Sequence, residues 1–458
     1  MSNDSVQAQK FPRSFWTANV TELFERGAYY SMASFVVIYL GQLGLGDYWP
    51  STLNGVLWSI VYFLPILSGT IADQIGFRKS LLAAFVLLVG GYLLMGWPVW
   101  SGMAELSRTV GKDVTAPAGV FLFVALAIML IGAGGSIVKP CISGTVQKTA
   151  GARATLGFAI FYMVVNIGSL FGRGTAYVVR TRSSLSYIFA VAMVCAAVAF
   201  FIVLFIYRDH ESGKGAAAAP PKPRKSIGRI FLDMFLVLRN VRFALFLLVS
   251  AGFWFLYSQV YNILPLYLKK VVETDPKVDI YTMANPLTIV CFQLLITRMF
   301  GKMKPIRSMV VGILIIAVSM AINLVPLYMA GGVRASLGGI LPIGALFVVL
   351  TVAMVAFGEL FTSARTFEYI GALAPKGQEG LFLGYANLPT AIGALLGGPV
   401  GAAIFNEVMC KDAKKLDNGL LELVPANAAA GWMILVGVGL CTALSMWLYN
   451  RWLEKQAG

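Results

Sequence analysis

Charge is the scarcest property of this sequence. Its 458 residues include 36 Lys and Arg and 21 Asp and Glu, 12% in all, about half the share of an ordinary globular chain. A soluble fold of this size could not cover its surface with so few. Histidine is scarcer still. The only one, His210, lies in the polar stretch Arg208-Asp209-His210-Glu211, which excludes His-based metal clusters and argues against a His-dependent hydrolase. The five cysteines show no C-x-x-C spacing and four sit in apolar runs, where cysteine serves as a small hydrophobe, so neither a disulfide framework nor a metal site is expected. A Walker phosphate loop is missing, which argues against ATP-driven transport. Sustained apolar/polar alternation over about ten residues is missing too, which argues against a membrane β-barrel.

What the chain has in abundance is apolar sequence: 58% hydrophobic residues and a mean hydropathy of +0.77. The apolar runs lie near 15–43, 51–72, 80–98, 118–146, 155–178 and 185–207, then near 243–268, 281–300, 308–330, 336–372, 379–406 and 429–450. A bilayer span needs about 20 such residues. The sequence therefore predicts an all-α membrane protein with twelve transmembrane helices in two six-helix bundles. The first run is interrupted by Glu22, Glu25 and Arg26, so it reads as a retained helix and not a cleaved signal. Between the halves, residues 208–228 hold Gly-Lys-Gly, four alanines, Pro220-Pro221 and Pro223, the composition of a flexible linker. The stretch Ile227 to Arg242 keeps Arg229, Asp233 and Arg239 among apolar residues and reads as an interfacial helix. The predicted domains are an N-terminal bundle over 1–207, a cytoplasmic linker over 208–242 and a C-terminal bundle over 243–458.

The net charge of +15 is a topology signal and not a nucleic-acid patch, because the basic residues fall between the apolar runs. With both termini cytoplasmic, the connections at 73–79, 147–154, 208–242, 298–307 and 373–380 hold most of the short-loop Lys and Arg, as the positive-inside rule requires. A weak echo links the halves. Gly69-Thr-Ile-Ala-Asp73-Gln-Ile-Gly76-Phe-Arg78-Lys79 follows the second run, and Gly301-Lys-Met-Lys-Pro-Ile-Arg307-Ser follows the eighth, as a transporter built of parallel repeats would show. The first string resembles the loop motif of the major facilitator superfamily, with Asp73 and Arg78 as gating or loop residues.

Ionisable residues inside spans are costly and mark function. Glu22, Glu25 and Arg26 stand at i, i+3 and i+4 on one helix face. Two carboxylates beside one guanidinium leave one carboxylate with a proton to exchange. Lys139, next to Pro140 in the fourth run, and Glu359 in the tenth add opposite charges, one on each half, able to neutralise each other when a central cavity closes. Arg365 and Glu368 lie closer to a helix end, where snorkelling is the simpler reading. Trp16, Trp49, Trp97, Trp100, Trp432 and Trp452 sit near span ends and read as interfacial anchors. Trp254, between Phe253 and Phe255 in mid-span, reads as a cavity liner.

These residues carry a closer resemblance. Glu22-Leu-Phe-Glu25-Arg26-Gly-Ala-Tyr29-Tyr30 resembles the E-x-x-E-R-F-x-Y-Y motif of the proton-dependent oligopeptide transporter family, departing at Gly27. Tyr62-Phe-Leu-Pro65, Lys139-Pro140, Phe161-Tyr162…Asn166-Ile-Gly168-Ser169, Phe253-Trp254…Gln259, Asn285-Pro286 and Gly358-Glu359-Leu360 resemble its later helices. The extra helix pair of many bacterial members has no room in 208–228. The resemblance implies proton-coupled uptake of di- and tripeptides by alternating access, with no cofactor beyond the proton. Glu22, Glu25 and Arg26 would couple proton movement to binding. Arg26 and Lys139 would face the peptide carboxylate and Glu359 its amino group, while Tyr29, Tyr30, Tyr62, Asn166, Asn285 and Trp254 would line the site. Three departures bear on specificity: Ser258 stands where the family carries Asp or Glu, Ala386 where it carries Trp, followed by Asn387, and Ala364 where it carries Pro. A roomier side-chain pocket lacking one negative group is the expectation.

The implied partners are a small peptide or peptide-like solute, protons and the lipid bilayer, with no nucleic acid. The protein is expected to work as a monomer in the cell (inner) membrane and to be no enzyme. Two other functions stay open at this point: a major facilitator transporter of a non-peptide solute or drug, even an exporter, and a ligand sensor that does not transport.

Overall fold

The computed structural model describes residues 11–108, 115–117, 119–150, 154–209, 228, 236, 238–373 and 385–457. The chain is almost entirely helical. Ten helical segments among the described residues are long and apolar enough to cross a membrane, which makes this a multi-pass all-α membrane protein. Two more long helices, α1 (Arg13–Ala33) and α7 (Ala154–Arg182), lie outside that set and carry buried Glu and Arg. The linker and interfacial stretch foreseen for 208–242 fall mostly outside the described residues.

The chain divides into two compact units. The first comprises Met1–Met32, Ile60–Trp97 and Phe123–Val237; the second comprises Ala33–Ser59, Pro98–Leu122 and Leu238–Gly458. The second unit therefore includes the α2 helix (Val36–Gln42) and most of α3 (Trp49–Phe63).

In the first unit, α4 (Pro65–Ile75) starts on a proline, whose fixed φ suits a first helical turn, and stops at Gly76 with φ +92°, a conformation glycine adopts without a Cβ penalty. It is followed by α5 (Phe77–Trp100) and α6 (Val120–Ala150). Pro140 lies inside α6 and lacks the N–H that would bond the carbonyl four residues earlier. That carbonyl, on Ser136, instead accepts a hydrogen bond from the Ser68 hydroxyl at 2.8 Å. A Cβ at Gly69 would stand 3.2 Å from Pro140, so α4 and α6 are held together at the proline. Arg78 donates to the carbonyls of Leu204 at 2.7 Å and Val203 at 3.5 Å at the end of α8 (Tyr187–Phe205), where cations satisfy unpaired carbonyls and complement the helix dipole. The side chain of Asp73 lies outside the described residues.

In the second unit, α9 (Val241–Ser258) opens with Asn240, whose side chain accepts from the Phe243 N–H at 3.2 Å. A short α10 (Ile263–Tyr267) continues into a π-helical turn, Leu268–Val272, and α10 packs on α2. The α11 helix (Val278–Thr282) leads into α12 (Ala284–Phe300), followed by α13 (Pro305–Ala321), α14 (Ile343–Leu373), α15 (Leu388–Ala403) and α16 (Pro425–Ala457). The α13 helix packs on α14 and α16, and α9 on α15. Ile289, Ala356 and Leu360 form a core cluster between α12 and α14. Arg365 repeats the part of Arg78: it donates to the carbonyls of Gly301 at 2.7 Å and Phe300 at 3.2 Å beyond α12, and pairs with Glu368. Its side chain bonds to the protein where the sequence suggested snorkelling. Trp432 corrects another expectation. It is fully buried, edge to face with Tyr267 at 5.3 Å, because aromatic packing claims it more strongly than the interface. Trp16, Trp49 and Trp97 are exposed.

Candidate functional site

The first unit gathers charge on three helices. On α1, Glu22, Glu25 and Arg26 are buried together. The Arg26 Nε lies 3.3 Å from Glu22 Oε1 and donates to Glu25 Oε2 at 2.5 Å. Glu22 Oε2 is buried without a hydrogen-bond partner, a place where a carboxyl proton would relieve an uncompensated charge. One turn on, the Arg26 guanidinium lies 5.3 Å from the centre of the Tyr29 ring, and Tyr29 meets Tyr30 edge to face at 5.2 Å.

On α6, Lys139 stands 4.0 Å over the Tyr62 ring, a cation–π contact that favours an ammonium in a dry setting. Its charge is felt by Glu22, Glu25 and Arg26. The clasp at Pro140 fixes this position: the proline that breaks α6 and the Ser68 that fills the gap lie within a turn or two of Lys139 and Tyr62.

The third helix is α7. A Cβ at Gly168 would fall 2.7 Å from the Leu23 carbonyl oxygen, and one at Gly172 would fall 2.3 Å from that of Gly27. Both glycines are required by backbone contact with α1. Asn166 on the same helix is buried and donates to the Tyr162 carbonyl at 2.9 Å. One turn past Ser169 comes Arg173, fully buried and 4.4 Å from the centre of the Tyr30 ring. Its charge is legible in the sequence as well, since it lies inside the apolar run 155–178.

In the second unit, Asn285 on α12 donates to Glu359 Oε2 on α14 at 3.5 Å. Trp254 packs against Phe253 and Tyr257 with ring centres 5.3 and 5.2 Å away. Ser258 donates to the Phe255 carbonyl at 2.7 Å and lies so close to α15 that a Cβ on Gly397 would overlap its hydroxyl. A small residue here lets α9 and α15 touch. Ala386 is buried and Asn387 half-buried in a 3-10 turn ahead of α15.

A second cluster in this unit was not read from the sequence. Lys270 Nζ lies 2.8 Å from Asp47 Oδ1, with both side chains about nine-tenths buried. Asn406 donates to the Asp47 carbonyl at 3.0 Å, and the Tyr48 hydroxyl donates to Glu407 at 2.5 Å. That bond raises the Tyr48 hydroxyl above its ordinary pKa. Deeper in, the Asn54 amide donates to the Tyr261 carbonyl at 3.1 Å and to Asn262 Oδ1 at 3.0 Å. A Cβ at Gly55 would lie 2.5 Å from the Ala394 carbonyl oxygen. These contacts tie the segment from Asp47 to Gly55 to the turn between α9 and α10, to the π-helical turns Leu268–Val272 and Ile404–Met409, and to α15.

The model of the Major Facilitator Superfamily matches residues 15–362. The chain belongs to this superfamily of transporters. Among its relatives, the dipeptide and tripeptide permease A of Citrobacter koseri is 24% identical over 454 residues, covering 86% of this chain and 85% of the permease. Two solved structures share the fold. A POT family transporter in complex with a thioalcohol conjugated peptide has a TM-score of 0.73 at 18% identity, with 96% of each chain covered. A mutant peptide transporter POT in complex with alafosfalin has a TM-score of 0.72 at 18% identity, with 97% of each covered. Superfamily membership agrees with the loop string from Gly69 to Lys79, whose Arg78 caps α8 in this structure.

Proposed function

We propose that this superfamily member is a proton-coupled symporter that carries di- and tripeptides or peptide-like solutes by alternating access. The observation that carries the reading is the buried trio on α1. Two carboxylates share one guanidinium, and one carboxylate oxygen lacks a partner, so the trio takes up a proton more readily than it holds two bare charges. Arg26 and Lys139 are the cations suited to a peptide carboxylate, and Glu359, which accepts from Asn285, is the carboxylate suited to an amino group. Charge-assisted contacts of this kind are worth about 1.5–3 kcal/mol each. Tyr29, Tyr30, Tyr62, Asn166 and Trp254 line the path. The permease names of the relatives support the cargo.

In this reading the protein lies in the cell (inner) membrane with both termini cytoplasmic, works as a monomer and needs no cofactor beyond protons. The division into a bundle over 1–207, a linker over 208–242 and a bundle over 243–458 describes its two working halves. Purified protein in liposomes is the test, with labelled dipeptide outside and an inward proton gradient imposed. Accumulation that collapses with the gradient supports symport. Peptide exchange without accumulation refutes the coupling, and neither exchange nor binding of any peptide refutes the cargo.

A further inference from the structure

Asn19 stands one turn before Glu22 on α1 and is as deeply buried, 2% exposed against 1%. A polar side chain in that position is costly unless its atoms find partners. One end of the amide is satisfied. Its Nδ2 donates to the Phe15 carbonyl at 2.8 Å, and because a carbonyl only accepts, this bond fixes which end of the amide is nitrogen. The other end, Oδ1, is buried with no hydrogen-bond partner, and so is Glu22 Oε2. Residues three apart share a helix face with Cβ atoms about 5–6 Å apart. Helical side chains lean back towards the N-terminus, so Glu22 leans towards Asn19.

An ionised Glu22 offers only acceptors, and Asn19 Oδ1 is an acceptor too, so the two oxygens repel. One proton changes both. A protonated Oε2 becomes an O–H donor, and a single hydrogen bond from it to Asn19 Oδ1 satisfies two buried atoms at once. We propose that Asn19 is a positioning residue for the proton on Glu22: its carbonyl oxygen accepts from the protonated carboxyl and sets how tightly Glu22 holds that proton. The proton comes from water and returns to it, and the only covalent bond made or broken is the Glu22 O–H. Glu22 Oε1 keeps its place 3.3 Å from Arg26 Nε. The charges that bear on Glu22 are Arg26 and Glu25 on its own helix and Lys139 on α6. Tyr30 on α1 and Tyr62 on α3 bear on Arg26, and Tyr92 on α5 on both Glu25 and Arg26. All of these stay in place when Asn19 is replaced, so the replacement isolates the amide. The inference rests on the reading of the trio as a proton site, and not on the cargo.

The test follows the C=O stretch of protonated carboxyl groups by infrared difference spectroscopy, with the purified full chain titrated through pH. Glu22→Gln identifies the Glu22 band by removing it. In the wild type that band should lie at the lower frequency of a hydrogen-bonded acid. Asn19→Leu, similar in size, should move it to the higher frequency of a free acid and weaken proton binding about two- to tenfold, the net worth of one hydrogen bond. Asn19→Ala, which adds no bulk, should do the same. A wild-type Glu22 band at the free-acid frequency overturns the inference, and that arm decides even if α1 tolerates no change at Asn19. A band and a proton affinity unmoved in both Asn19 variants also overturn it, and leave Glu22 standing as a proton site. Loss of no band in Glu22→Gln overturns proton uptake at Glu22 and this inference with it. A band that moves as expected in a protein whose peptide accumulation ignores the proton gradient supports the inference and refutes symport.

Discussion

The Lys270–Asp47 pair offers the most quantitative prediction. At 2.8 Å two unit charges attract by about 1.5 kcal/mol in water and about 6 kcal/mol at an effective dielectric constant of about 20. Both side chains are largely buried, so the attraction is strong but offset by desolvation. A charge-assisted hydrogen bond then nets about 1.5–3 kcal/mol. Asp47→Asn keeps an acceptor and removes the charge, so it should weaken the contact by about 2 kcal/mol and shift the population of the released form about 30-fold. Lys270→Met leaves the Asp47 carboxylate buried without its cation and should cost more, about 3–5 kcal/mol. The double variant should cost less than the sum, since the second change removes a charge already stranded.

Cys410 reports on this directly. It follows the π-helical turn Ile404–Met409, and its thiol is pushed up to about 12, chiefly by burial, with Lys270 pulling it down and Asp47 pushing it up. Thiolate is the reactive form, so at pH 7.5 maleimide should label Cys410 slowly. Asp47→Asn should speed labelling by at least tenfold through exposure and through loss of the nearby negative charge. Cys410→Ser identifies the signal against the exposed Cys291 and Cys441. An unchanged rate in both single variants, or losses that add strictly in the double variant, would refute the claim that this pair ties the segment around Asp47 to the π-helical turn after α10.

Three other variants test the remaining assignments. Glu25→Gln should abolish gradient-driven peptide accumulation in liposomes and spare part of the counterflow; undiminished accumulation would remove Glu25 from the proton trio. Gly398→Val places a side chain where even a Cβ would lie 2.3 Å from the Ser51 carbonyl oxygen, so it should force α3 off α15 and lower the melting temperature by several degrees in detergent, whereas Gly437→Val, at a glycine with nothing within 4 Å, should be close to neutral. Ala386→Trp should narrow the range of bulky peptides that stabilise the protein in a thermal-shift screen and strengthen dialanine; a screen that does not change would dismiss Ala386 as a pocket determinant.

The membrane made most of the fold legible. A span must be apolar, and proline, glycine and basic residues between the runs mark where spans stop, so the runs near 80–98 and 185–207 match α5 and α8 closely. The charged trio on α1 was legible for the opposite reason: charge in a span stands out, and its i, i+3, i+4 spacing is local. Arg173 obeys the same rule, and it lies just past Gly168 and Gly172, the glycines in contact with α1. Asp47 and Lys270 are separated by 223 positions, and each sits in a connection between apolar runs where no periodicity applies. Their pairing depends on how α2, α3 and α10 lie against one another. Ser68 filling the gap left by Pro140 was illegible as well, since a proline announces a lost hydrogen bond but not the neighbour that replaces it.

The two long helices outside the apolar set, α1 and α7, are the ones that carry Glu22, Glu25, Arg26 and Arg173. That coincidence has a physical basis. Each buried charge lowers a helix's own preference for the bilayer by several kcal/mol, so neither helix is stable there unless it keeps its charged face on protein. Gly168 and Gly172 bring the α7 backbone against α1 at Leu23 and Gly27, within one turn of Glu25 and Arg26. The buried charges of Glu22, Glu25, Arg26 and Arg173 thus fall on the two helices least able to span alone, and close glycine contacts hold them together. The same contacts leave no room for the phenylalanine that the resembling family carries at position 27: a Cβ at Gly27 would already stand 3.0 Å from Phe171. Phe171 on α7 occupies that space instead, while the charged face of α1 keeps its pattern.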